Sequence, residues 1–277
     1  ISYDNFDFSV SPLDDFYKYV NGNWIKKNKI PSDYTKWGSF EILNESNSKK
    51  LNELILSSNG KFAILKKSYE EYINFNKRDK LGKSPLQPII NELEKCKSNY
   101  EIWNYICKNF KLGIFNLFHF FGSEDSKDSD NVVPHFFSGG IGLPDRDYYF
   151  NEDKEEHRNK YLIYLQNCLK LYENKKYDLS FMLDFEKKLA EKIYTNVEKR
   201  NPEKRYNKFN LKEFKKQNNL DWNKFFEYNY KNIRYFIVDN PNFFIELSKL
   251  LNETSTDKLK IIMKVNIISK FSSYLST

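Results

Sequence analysis

Apolar residues three and four apart recur along most of the chain and predict a succession of amphipathic helices. In Phe40 to Leu56 the apolar face is Phe40, Leu43, Leu51, Leu54 and Ile55. In Phe62 to Asn76 it is Ile64, Leu65, Tyr69, Tyr72 and Ile73. Shorter helices are predicted over Ile89 to Cys96 and Tyr100 to Phe110, with Leu81 to Pro88 as a linker. Later ones span Asp153 to Tyr172, Leu179 to Val197, Leu211 to Gln217, Trp222 to Tyr230, Phe243 to Leu251 and Asp257 to Leu275. A first helix begins at Pro12, with Asp14 and Asp15 at its positive end and Phe16, Tyr19 and Val20 on one face. Gly22 is expected to end it, and Ile30-Pro31 forces extension before the next. The fold class is therefore mainly α.

One stretch breaks the period. The run IFNLFHFFG is too short and too aromatic to sort by spacing, but a polar loop and VVPHFF follow it, so one small β-hairpin is predicted at about Ile114–Phe137. The segment YFIVD reads as a strand or an extended connector, and Arg200 to Asn207 as a basic turn around Pro202. In SGGIGLPDRDYYF, three glycines and Pro144 enforce an irregular turn whose end Tyr148 and Tyr149 pack. A phosphate loop needs a Lys-Ser/Thr after its glycines or a strand-turn-helix frame, and neither is present.

Composition sharpens this picture. With 24 Phe and 20 Tyr among 277 residues, the core must be built largely from rings. The net charge of +7 is spread among 38 acidic residues rather than gathered in a block, which describes a solvated surface better than a nucleic-acid face. No apolar run approaches the roughly 18 residues that span a bilayer, so no membrane segment is expected in this chain. Cys96, Cys107 and Cys168 make an odd count without C-x-x-C spacing, and this points to a reducing, intracellular compartment. The first residue is Ile rather than Met, which leaves a secretory or anchored origin open.

Candidate chemistry is sparse. Metal-dependent hydrolysis needs about three protein ligands, often two His at i and i+4 of a helix. The three His of this chain are not spaced so, and H-E-x-x-H is absent. His119 and His135 fall on the two predicted strands, read as structural histidines, and His157 reads as exposed. The cysteines read as small core residues of amphipathic helices. The carboxylate pairs Asp14 with Asp15, Asp145 with Asp147 and Glu155 with Glu156 read as helix-start or surface charge. The residues alone name no catalytic group and no metal ligand.

A resemblance adds what spacing cannot. DDFYKYVNGNWIKKNKIP followed by WGSFEILNE resembles the opening of the neprilysin-like zinc metallopeptidases. GIGLPDRDYYF, FEKKLAEKI and NPEKRYNKF continue it in order. The resemblance implies a two-lobed peptidase in which a Zn2+ lobe faces a helical lobe across a cavity that admits small peptides. Residues 1–38 would then pack against the catalytic lobe. Residues 39–277 would form the substrate-sieving lobe, incomplete at its carboxyl end and silent alone. It also implies one substrate-binding residue, Lys36, at the place of an Arg that docks a terminal carboxylate; Lys offers a point charge in place of a planar fork. Leu13 and Val20 stand where extracellular members carry cysteines. Two other readings stay open: a truncated, non-catalytic homologue acting as a protein- or peptide-interaction module, and a basic nucleic-acid binder resting on net charge alone.

Overall fold

The computed structural model describes residues 2–114, 117–230 and 233–276. Among them the chain divides into two compact units, residues 1–74 and 75–277.

The first unit holds α1 (Phe16–Lys27), α2 (Ser39–Ser57) and α3 (Ala63–Tyr72). Asp15 starts α1 by accepting the Lys18 amide with its side chain, as an N-cap should. Gly22 does not end this helix. It lies buried within it, and a Cβ there would come 2.6 Å from Cβ of Asp7, so glycine lets the lead-in lie against α1. Asp7 accepts Lys26 Nζ at 2.6 Å and Ser9 Oγ at 2.5 Å, while its backbone N–H donates to Tyr19 O. Phe6 and Phe8 meet the Tyr19 ring edge-on. In α2 and α3, by contrast, no residue is buried.

The second unit begins with α4 (Phe75–Leu81), α5 (Gln87–Glu94) and α6 (Asn99–Asn109). The single helix expected over Phe62 to Asn76 is thus two, α3 and α4. The break falls at Ile73 and Asn74, the second of which is a weak helix former. The expected linker also winds up as a 3-10 turn, Ser84–Leu86, that runs into α5.

The predicted hairpin is present as β1 (Phe118–Asp125) and β2 (Asp128–Ser138), paired antiparallel with Phe118 opposite Ser138. Phe115 and Asn116, at its predicted start, lie outside the described residues. After β2 come α7 (Glu155–Tyr172), α8 (Ser180–Lys192), the short α9 (Pro202–Arg205), β3 (Asn207–Phe209), α10 (Leu211–Gln217) and α11 (Trp222–Asn229). Then follow β4 (Phe236–Val238), α12 (Pro241–Glu253) and α13 (Thr256–Phe271). The hairpin is half of a four-stranded sheet in the order β1-β2-β4-β3, with β4 parallel to β2 and antiparallel to β3. The basic turn thus supplies a helical turn and an edge strand, and YFIVD supplies a strand buried at Phe236, Ile237 and Val238.

Sheet and helices meet in an aromatic core. Phe136 is fully buried on β2, with the rings of Phe118, Phe214, Trp222, Phe225, Phe236 and Phe244 centred within 6 Å of its own. These rings come from β1, β4, α10, α11 and α12. Their edge-to-face and tilted packing adds to the area term for every ring buried, and one ring ties five elements together.

Candidate functional site

Lys36, the one substrate-binding residue expected, lies in the segment between α1 and α2. Its side chain is 84% exposed, with Glu41 Oε1 3.4 Å from Nζ. Tyr34 meets the neighbouring Trp37 edge-on at 4.7 Å. An ion pair so exposed adds little and leaves the ammonium accessible.

The most elaborate polar arrangement lies in the second unit, where the loop after β2 crosses α7 and α8. Gly140 has a φ of +72°, and a Cβ there would strike Leu189 Cδ1 at 2.7 Å. A Cβ on Gly142 would sit 1.9 Å from the Tyr161 hydroxyl. These two positions need glycine, one for backbone and space, the other for space alone. The close approach places the Gly142 amide 3.1 Å from Glu186 Oε2 of α8. Tyr149, in the 3-10 turn Arg146–Tyr149, donates to the same oxygen at 2.5 Å and accepts the Gly142 and Leu143 amides. Tyr161 of α7 donates to Oε1 at 2.7 Å.

Glu186 is therefore a buried hub joining one loop, one turn and two helices. Burial pushes its carboxyl above the usual carboxylate range, against the pull of the three donors. Burial and the adjoining Glu186 carboxyl both push the Tyr149 and Tyr161 phenols up, so they stay protonated donors. With every donor engaged within the network, the arrangement holds the loop and presents no free nucleophile or base. Glu186 was among the charged residues set between the apolar positions of the predicted helix. The missed signal was its spacing, four after Met182, three before Leu189 and four before Ala190, all three buried.

Two cavities flank the loop. One of about 500 Å³ is lined by Gly142, Tyr161, Tyr164, Glu186, Asn266 and Ser269 with apolar neighbours. The other, about 440 Å³, takes in Ser138, Tyr194, Lys199, Arg205 and Asp239, with His119.

The remaining candidates resolve into local roles. His135 Nε2 lies 3.2 Å from Glu124 O, and burial lowers its pKa; His119 and His157 are exposed. Asp145 accepts the Asp147 amide, and Glu156 pairs with Lys160 within α7. Cys96, Cys107 and Cys168 are all buried and free, and burial raises each thiol, which suits packing rather than reactivity. Among the described residues no group of three or more His, Cys, Asp or Glu side chains could hold a metal ion. Nor is any described helix long and apolar enough to cross a membrane.

Comparison with known proteins places this architecture. Endothelin-converting enzyme 1 of Cavia porcellus is 28% identical over 291 residues, covering 96% of this chain and 38% of that protein. Neprilysin-3 of Drosophila melanogaster is 29% identical over 232 residues, 76% of this chain and 29% of that protein. The crystal structure of the Mycobacterium tuberculosis zinc metalloprotease ZMP1, in complex with an inhibitor, superposes with a TM-score of 0.91 at 20% identity. It covers all of this chain and 44% of that one, a likeness of fold. The chain thus spans well under half the length of these relatives. The model of peptidase family M13 matches residues 12–277, a span that takes in the four motifs read in order from the sequence, and the chain belongs to the amino-terminal part of peptidase family M13.

Proposed function

We propose that this chain is the amino-terminal helical portion of a zinc-dependent metalloendopeptidase that hydrolyses small peptides. In this reading it limits access to the substrate cavity and helps to line it. The observation that carries the reading is the family match over residues 12–277, together with side chains that assemble no zinc site among the described residues. Zn2+ belongs to the full-length family; the described residues assemble no group that could hold it, and no catalytic step is assigned to them.

The first unit supports an association with a catalytic lobe, from the same gene or a separate chain. Phe16 is 66% exposed, and Phe40, Leu51, Leu54 and Ile64 are each more than half exposed, while α2 and α3 bury nothing. Apolar residues in such number on amphipathic helices mark a surface that another chain segment covers. Residues 1–38 are the part assigned to that lobe, and residues 39–277 the part assigned to the sieve; the exposed apolar positions run on from Phe16 in the former into α2 and α3 of the latter. Lys36 is the residue assigned to a substrate carboxylate, since it is exposed and held only by an open pair with Glu41.

Zinc analysis and a peptide-cleavage assay on the isolated chain test the proposal. It expects no stoichiometric zinc and no chelator-sensitive cleavage. Tight zinc with cleavage that a chelator abolishes would overturn the silent role.

A further inference from the structure

From the second cavity beside the glycine loop, we propose that this chain carries a binding site for a small organic monocarboxylate with an apolar body. The site is independent of the peptidase reading. Its polar wall is Lys199, Arg205 and Asp239, with His119. Arg205 Nε donates to Asp239 Oδ1 and Nη1 donates to Lys199 O at 3.2 Å, leaving Nη2 without a protein partner among the described residues. Lys199, half-buried in the wall, has no ion pair there. Arg205, with Nη2 unused, and Lys199 thus line one cavity with donor capacity that the fold does not take up.

Charge selects the ligand class. Lys199 and Arg205 bring two positive charges and Asp239 one negative charge, which leaves one to be balanced. A carboxylate balances it, whereas a phosphate dianion would set excess negative charge against Asp239. A carboxylate also has two oxygens, one for Nη2 of Arg205 and one for the Lys199 ammonium. The apolar wall is Ile141, Leu143, Pro144 and Ile193, with the Tyr194 ring. About 440 Å³ suits a ligand the size of one or two residues with an aliphatic side chain. Gly140 is needed here as well, because its left-handed turn forms one edge of the cavity.

The test is a titration of the folded chain, followed by amide chemical shifts, with N-acetyl-leucine, N-acetyl-leucinamide, inorganic phosphate and the tripeptide Gly-Gly-Leu. The acid is expected to bind saturably and to shift Ser138, Ile141 and Tyr194, with the amide at least about tenfold weaker, as for loss of a charge-assisted pair. The variant Lys199→Gln should bind the acid roughly threefold to tenfold more weakly with an unchanged melting curve, since Lys199 makes no ion pair in the fold. Tighter binding of Gly-Gly-Leu assigns a peptide terminus as the source, and tighter binding of N-acetyl-leucine assigns a free small acid; both keep the carboxylate site. Equal binding of acid and amide, preference for phosphate, no saturable binding, or no effect of Lys199→Gln would each overturn it.

Discussion

The two units use similar side chains to opposite ends. In residues 75–277, Phe136 and Trp222 are fully buried among rings drawn from several elements. In residues 1–74, helices with equally regular apolar spacing leave Phe40 at 80% and Leu54 at 63% exposure, and the buried positions are Gly22 and the polar Asp7. Amphipathic periodicity predicts a helix with one face to cover; it does not say what covers it. In the second unit the covering surface lies within the unit. For the first, the proposed cover is a catalytic lobe.

The largest expected effect sets these regions against each other. Phe136→Ala should lower the unfolding free energy of the second unit by about 3–5 kcal/mol, because it removes a ring and leaves a cavity among the rings packed around it. Leu54→Ala should change stability by no more than about 0.5 kcal/mol, as for an exposed side chain. Chemical denaturation of both variants checks the pair. Comparable losses would show that α2 is buried in the isolated chain and remove the contrast.

The polar hub gives the next effect. Glu186→Ala leaves the Tyr149 and Tyr161 hydroxyls without their acceptor in a buried setting and takes one of two acceptors from the Gly142 amide, and about 2–4 kcal/mol is expected. Glu186→Gln, which keeps one carbonyl oxygen, should cost less. Gly140→Ala should follow at about 1–3 kcal/mol, from the left-handed backbone and the close Leu189 methyl. Its destabilisation should be partly relieved by Leu189→Ala, which removes that methyl.

Much of this was legible in the sequence, but unevenly. Leu211–Gln217 has the same ends in the prediction and in the structure, and Ser39–Ser57, Trp222–Asn229 and Thr256–Phe271 fall close to the expected spans, because each has a strong period or a capping residue. The hairpin was visible because aromatic strands flank a polar loop. Its sheet partners were not, since three-residue strands have too few positions to show a period, and parallel pairing of β2 with β4 depends on a crossover connection of about a hundred residues. Gly22 misled because a glycine inside a helix resembles a stop. Only the approach of Asp7, fifteen residues earlier, explains it. The polar hub stayed hidden for a related reason: Glu186 sits in a charged helix, and its partners lie 25 to 44 residues away.

The smallest effect compares the two carboxylates that organise these units. Lys26, donating to Asp7 at 2.6 Å, and Ser9 hold the Asp7 carboxyl down to about 2, whereas burial raises that of Glu186. Their linkage to stability therefore has opposite sign. The contribution of Asp7 is present above its ordinary pKa near 3.8 and is lost as pH falls toward about 2. That of Glu186 is complete below its ordinary value near 4.5 and is lost as pH rises through the raised one. Amide exchange of α1, followed as a difference between the unaltered chain and Asp7→Asn, isolates the first from other titrating groups. Protection around Tyr19 and Gly22 should exceed that of the variant above pH 4, and the difference should shrink between pH about 4 and 2. The pair is partly open to water, so the shift should be small and should weaken with added salt. A difference that persists unchanged at pH 2 would mean that Asp7 holds α1 through its backbone bond to Tyr19 and its fit against Gly22 rather than through charge.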